Sequence, residues 1–308
     1  MPLRPEFSRS FTPDPSPGEL ELLAARLRDD VVYIAQEIGE RNAANHAALE
    51  AAARFIEQRL RAAGTTPQRL VYDVDGRTFA NIEVELRGVA KPNEIVVLGA
   101  HYDSAPGSPG ANDNASALAC LIHLAGRLAG RRSARTLRLV AFTNEEPPFT
   151  RTRRMGSRVY ARRARREGVD IRAMVCLETI GYRDTRKGSQ RFSLGGLLLP
   201  NQGDFIALVS NWRYRRLLAP AAAAFSQRSA VDIHGLVLPS HMPGAWSSDH
   251  WSFWKEGFPA FMVTDTAPMR YPWYHTPDDT PEKVDYAFLG QVAAGIEGVL
   301  EDLLGIEA

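Results

Sequence analysis

Five short clusters in this sequence carry side chains able to hold a metal ion or move a proton. They are His101-Tyr102-Asp103, the small-residue loop Gly110-Ala111-Asn112-Asp113-Asn114-Ala115-Ser116, Thr143-Asn144-Glu145-Glu146, Glu178, and Tyr274-His275-Thr276-Pro277-Asp278-Asp279-Thr280. Imidazole and carboxylate are the borderline and hard donors that suit zinc, and no thiol stands among them. Gathered in one place without a cation, these carboxylates would repel one another, and a pair of divalent ions removes that repulsion. Spacing separates the roles. In an extended His101-x-Asp103 both side chains lie on one side, so the carboxylate can fix the imidazole tautomer while the other ring nitrogen meets metal. In Glu145-Glu146, adjacent extended residues point to opposite sides, leaving one carboxylate for metal and the other for substrate and water. Taken singly, a His-x-Asp or a Glu-Glu pair is commonplace on any protein surface. Their order and placement carry the argument.

An α/β sheet is the architecture that would bring these clusters together. The apolar runs 95–100, 137–142 and 173–177 read as strands, and they end directly in His101, in the Glu145-Glu146 cluster and in Glu178. Ligands of open α/β sheets bind beyond the carboxyl ends of strands, which is where these residues fall. Helices expected at 115–129 and 156–166 alternate with those strands, as parallel central strands covered on both faces require. Upstream, Ser16-Pro17-Gly18-Glu19 is a capping box with proline at the first helical position. Leu20, Leu23, Leu27, Val31 and Ile34 follow at helical spacing, and a second amphipathic helix (Ala48, Ala52, Phe55, Ile56, Leu60) stops at Gly64. Alternation on either side of Asp75-Gly76 predicts a β-hairpin. Downstream the pattern predicts a strand near 192–194, helical stretches between 204 and 227 interrupted by Pro220, a strand at 260–263 and a final helix over 281–304. The expected fold is α/β, a mixed and mostly parallel central sheet flanked by helices on both faces. Residues 1–15 are expected to form an irregular arm and 16–308 a single domain.

Composition narrows the function classes. Across 308 residues, 37 Lys and Arg against 36 Asp and Glu leave a net charge of +1, so no global field favours nucleic acid or a membrane surface. Cys120 and Cys176 sit in apolar runs and are expected to be buried free thiols rather than a disulfide framework. The Arg-rich run 151–172 reads as a solvated helix face. The first 18 residues lack the apolar core of a secretory signal, and no apolar stretch approaches the ~20 residues that span a bilayer. As written, the chain is expected to be cytoplasmic. Its oligomeric state is left open.

With the clusters in this order, the sequence resembles the M28 family of co-catalytic zinc peptidases over residues 81–285. The resemblance implies the zinc-dependent exopeptidase fold and hydrolysis of peptide or aminoacyl substrates, with aminopeptidase the activity it points to. It implies two zinc ions per chain. His101, Asp113 and Glu178 would hold one, and Glu146, Asp113 and His275 the other, with Asp113 bridging the pair. Asp103 would orient His101. Glu145 would be the general base that takes a proton from the water between the metals and later gives it to the leaving amine. Tyr274, next to a ligand, would donate to the developing oxyanion.

Two positions depart from the family pattern. Glu178 stands where aspartate is frequent and adds a methylene, and Ala117 stands where glycine is frequent. Ser247-Ser248-Asp249-His250 also resembles a family motif, whose acidic residue supports the site or lines its pocket. Asp249, Trp246 and Trp273 are therefore candidate pocket residues, and His250 is read as structural. His46, His123, His234 and His241 match no ligand motif. Two rival readings stand beside the peptidase. A glutaminyl cyclase-like acyltransferase would use one zinc, and the loop 110–116 and the stretch Asn144-Glu145-Glu146-Pro147-Pro148 argue against it. A non-catalytic binding module on the same fold would have lost ligands or base, and all are present here.

Overall fold

The computed structural model describes residues 15–191, 199–240, 242 and 248–306. Helix α1 (Pro17–Val32) starts as its capping box requires: the Ser16 backbone N–H donates to Glu19 at 2.8 Å, and the Glu19 N–H returns to Ser16 Oγ at 3.5 Å. It runs on into a π-helical turn, Tyr33–Ile38, that ends at Gly39. Helix α2 (His46–Ala62) follows, then the hairpin β1 (Gln68–Val74) and β2 (Arg77–Leu86) around Asp75-Gly76.

The alternating unit comes next: β3 (Lys91–His101), a π-helical turn Ala111–Ser116 leading into α3 (Ala117–Leu128), β4 (Arg135–Phe142), α4 (Gly156–Arg166) and β5 (Asp170–Glu178). A small ribbon, β6 (Asp184–Lys187) and β7 (Gln202–Gly203), stands apart from the main sheet. The chain closes with β8 (Phe205–Asn211), α5 (Leu218–Ser226), β9 (Asp232–Leu238), α6 (His250–Lys255), β10 (Ala260–Thr264), the short α7 (Ala267–Arg270) and α8 (Tyr286–Leu304). Eight strands form one sheet in the order β1-β2-β4-β3-β5-β10-β8-β9. The central run β4-β3-β5-β10 is parallel, while β1, β2 and the β10/β8 pairing are antiparallel.

Strand alternation divides the core between the two faces of this sheet. Val96, Leu98 and Ala100 of β3 join Val175 and Leu177 of β5 in a cluster covered by α1, α2, α3, α5 and α8. Ile95, Val97, Met174 and Cys176 face the other way, against Tyr160 and Ala161 of α4 and Phe253 of α6. Each large side chain buried in either layer contributes roughly 1.5–3 kcal/mol against exposure. Both cysteines are buried free thiols. No helix among the described residues is long and apolar enough to cross a membrane.

Three expectations are corrected. Residues 205–211 form β8, not helix: Phe-Ile-Ala-Leu-Val-Ser-Asn is buried throughout, and a short run that is apolar on every side has no period to distinguish strand from helix. Pro220 does not interrupt a helix but stands in the first turn of α5, where a backbone N–H would have no partner inside the helix. The last helix begins at Tyr286 rather than 281. Asp285 caps it by accepting from the Phe288 N–H at 2.9 Å, and Pro281–Lys283 is a separate 3-10 turn. Strand β9 and the β6/β7 ribbon had no expectation. The strand expected near 192–194 lies outside the described residues.

Candidate metal centre

The sheet delivers its donors along one edge. His101 is the last residue of β3, Glu178 the last of β5, and Glu145 and Glu146 follow β4 after a two-residue step. That step contains Asn144 in the left-handed region (φ 60°), as Thr179 (φ 46°) is after Glu178 and His275 (φ 57°) is in its own loop. Such backbone costs a non-glycine residue roughly 1–2 kcal/mol, so packing and hydrogen bonds must hold it. Asn144 Nδ2 donates to the Tyr72 hydroxyl at 3.1 Å, and the Thr179 N–H donates to Asn114 Oδ1 at 2.9 Å.

Asp113 lies between the two histidines. Its Oδ1 is 3.2 Å from His101 Nε2 and its Oδ2 is 3.0 Å from His275 Nε2. Glu178 Oε2 lies 3.4 Å from His101 Nε2, and Glu146 Oε1 lies 3.2 Å from His275 Nε2. Two donor groups therefore share one carboxylate: His101, Asp113 and Glu178 on one side, and Asp113, Glu146 and His275 on the other. A tetrahedron of zinc bonds of ~2.0–2.1 Å has edges of about 3.3 Å, which is the spacing of these donors. Both Asp113 oxygens and Glu146 Oε1 are buried without a well-aligned hydrogen-bond donor, a costly state for a carboxylate that a cation relieves. The residues present fit a zinc centre.

The electrostatics show the same strain. Burial pushes Glu146 up to about 7, with the Asp113 charge adding to it. Glu145 is driven well above the ordinary carboxylate range by burial and by Glu146, Glu178 and Asp249. For His101 and His275, burial lowers the pKa, but the surrounding carboxylates outweigh it and hold His101 well above its usual value and His275 at about 10. Burial alone would raise Asp113, yet the two imidazoles hold it below its usual value. In zinc-free protein, protons occupy the place of the missing positive charge.

Asp103 has a different geometry from the one its spacing suggests. The His101 ring nitrogen Nδ1 meets the Asp103 backbone carbonyl at 3.0 Å, and the carboxylate stands farther away at 3.6 Å. The Asp103 carboxylate instead accepts the backbone N–H of Glu145 at 3.2 Å and of Glu146 at 3.0 Å. It thus braces the base-and-ligand pair, while its carbonyl sets the imidazole. Glu178, one methylene longer than the aspartate frequent at this place, accepts from the Ser248 hydroxyl through Oε2 at 2.5 Å.

Tyr274 stacks on the His275 ring with centroids 3.9 Å apart. Trp273 is half-buried against Tyr182 and Tyr271, with Lys283 over its ring at 4.7 Å. Asp249 is fully buried beside Ser248, and burial pushes it up to about 7. His250 is buried edge-on to Trp254, while Trp246 and His241 lie outside the described residues. Of the other histidines, His46 meets the Thr78 carbonyl and His234 packs on Phe205, both away from this centre.

Three residues that support the site were not visible as such in the sequence. Arg41 is completely buried, and its guanidinium donates to the carbonyls of Tyr102 (2.7 Å), Pro109 (2.5 Å) and Gly110 (3.0 Å). Asp265, just past β10, accepts from Asn112 Nδ2 and from the Tyr182 N–H, both at 2.9 Å. Asp279 accepts from the same loop as Asp265. Only Asp279 had a local signal, its position in the cluster that follows His275.

A parallel-centred α/β sheet with this donor set at its carboxyl edge defines a metal-dependent hydrolase. Comparison with known proteins agrees, matching peptidase family M28 over residues 81–300. The chain belongs to that family. It is 33% identical to uncharacterized protein YfbL of Escherichia coli K12 over 281 residues, covering 88% of this chain and 85% of that one. It is 28% identical to aminopeptidase YwaD of Bacillus subtilis 168 over 212 residues, 66% of this chain but only 41% of YwaD. Among solved structures, the zinc aminopeptidase BSAP from Bacillus subtilis superposes with a TM-score of 0.74 at 15% identity, covering 91% of this chain and 95% of BSAP. That likeness is one of fold.

Proposed function

We propose that this chain is a dizinc aminopeptidase, an exopeptidase that removes N-terminal residues by adding water across the first amide bond. The observation that carries the reading is the pair of donor groups sharing Asp113 with Glu145 set beside them. When bound, zinc supplies Lewis acidity, drawing charge from a carbonyl and lowering the pKa of water toward ~7. Glu145 takes a proton from the attacking water as the new C–O bond forms and delivers it to the nitrogen as the C–N bond breaks. Asp103 keeps Glu145 in place through its backbone N–H, and Thr150 Oγ1 donates to the Glu145 carbonyl at 2.8 Å.

The Tyr274 phenol is held protonated by burial and by the carboxylates around it, so it serves as donor to the oxygen that gains charge. Trp273 and Asp249 are assigned to the substrate side of the site. A single unit over 16–308 is supported by α1 and α8 lying in one core cluster.

The test is zinc content of purified protein alongside aminoacyl p-nitroanilides and N-blocked peptides. Near two ions per chain with cleavage of unblocked substrates alone supports the reading. One ion with cyclisation of N-terminal glutamine would replace it with the acyltransferase, and cleavage of N-blocked peptides alone would replace the aminopeptidase.

A further inference from the structure

Asp279 lies four residues past His275 and is completely buried. Its Oδ1 accepts from the Asn112 backbone N–H at 2.8 Å and from the Tyr271 hydroxyl at 2.6 Å, and its Oδ2 accepts from the Asp113 N–H at 3.1 Å. Its backbone carbonyl accepts from the Ala111 N–H at 3.0 Å. Three consecutive N–H groups of the loop that carries Asp113 are thus received by one residue of the loop that carries His275. Asp113 itself is non-helical (φ −110°, ψ 88°), so the turn around it cannot fix the direction of its side chain as a regular helix would.

We propose that Asp279 is a positioning residue of the metal centre. By clamping the Asn112-Asp113 backbone to the His275 loop, it presents the Asp113 carboxylate to both imidazoles at once. The inference rests on the dizinc reading, in which Asp113 is the shared ligand. A residue that served only to satisfy buried N–H groups would affect folding and leave metal affinity alone. A positioning residue acts on the metal, because supports of this kind typically change metal affinity 10- to 100-fold.

The test compares wild type, Asp279→Asn and Tyr271→Phe. Asp279→Asn keeps the size of the side chain but turns an NH2 group toward a backbone N–H. Tyr271→Phe removes one donor to the carboxylate and leaves both backbone bonds. Zinc affinity is read by competition with a chromophoric chelator, coordination by the d–d absorption of cobalt(II)-loaded protein, and folding by near-UV circular dichroism of the metal-free forms. Asp279→Asn is expected to weaken at least one ion by about 10- to 100-fold with altered cobalt bands and a retained fold. Tyr271→Phe is expected to shift the same quantities less.

Unchanged zinc affinity and cobalt spectra in both variants would overturn the proposal. If Asp279→Asn does not fold, Tyr271→Phe decides alone, and wild-type affinity in it would be the overturning result. A wild type that binds one ion would remove the dizinc reading, and the affinity of that ion in the variants would still decide the role of Asp279.

Discussion

Glu145 is the one carboxylate among Asp113, Glu145, Glu146 and Glu178 with no imidazole nitrogen within 4.0 Å, among the described residues. Neutralising it therefore leaves both donor groups that share Asp113 intact. Glu145→Gln is expected to retain the zinc content of wild type and to lower kcat by about 10²- to 10⁴-fold, the range of a lost general base. Parallel metal analysis and steady-state kinetics check this. The same residues set a pH dependence. Glu146 rises from 4.5 to about 7 on folding, so its contribution to stability is complete below pH 4.5 and is lost as the pH rises through about 7. His275 rises from 6.5 to about 10, so its contribution is lost between those values, in the same direction. Zinc-free protein should melt at lower temperature at pH 9 than at pH 6. Because ligands must shed protons to bind metal, zinc affinity should rise over the same interval, and zinc-loaded protein should not show the loss. Thermal melts of both forms across that range separate the cases. His101, Glu145, Glu146 and Glu178 were legible in sequence because each follows an apolar run, and a strand's end fixes where the next side chain goes, whereas Asp113 and His275 showed only through the short loops that carry them. The partners of Asp103 were not: the spacing joined it to His101, while the contact that its carboxylate makes comes from backbone some forty residues away.

At the scale of elements, the loop between β3 and α3 is the most demanding segment. Gly110 has φ 64°, and a Cβ there would overlap the Asp113 carbonyl oxygen and Ser104 Cβ. Gly110→Ala is expected to cost about 1–3 kcal/mol through strain at a restricted backbone position and to lower zinc affinity with it. Denaturant unfolding with and without zinc measures both effects. The small residues of this loop announced a tight turn into a helix, and α3 itself was clear from its apolar spacing. The β8 strand was opaque for the opposite reason: with every side chain buried, Phe205–Asn211 shows no polar face whose recurrence would reveal its period. The cap of α8 was hidden by Pro281, whose strong helix-start signal belongs to an isolated turn.

Across the whole molecule, the site depends on chain far from its ligands. Arg41 follows the end of the helical run from α1, yet its guanidinium holds the end of β3 and the start of the Asp113 loop from inside the core. Burial lowers its pKa, the charges of Asp103, Asp279, Asp113 and Glu146 offset part of that fall, and at about 10 it remains a fixed positive charge behind the carboxylates at neutral pH. Arg41→Met is expected to leave several buried carbonyls without donors, destabilise the protein by about 2–5 kcal/mol and reduce zinc retention. Chemical unfolding and metal analysis test it. No local pattern marks this arginine, because its partners are about sixty residues downstream and it stands in a polar bend between helices. Sequence reports what a residue's neighbours in the chain demand, and Arg41 answers to neighbours in space.

Arg41 also separates the family's recognisable signature from autonomy. The stretch that matches the family model opens at residue 81, which places this arginine and both leading helices outside that match. A gene fragment trimmed to that shared stretch would encode every ligand and the base, yet would lack the anchor that fixes the catalytic edge. The smallest transferable form of this enzyme therefore starts before Arg41, and grafts or fusions that respect only the recognisable portion would carry the chemistry without its foundation.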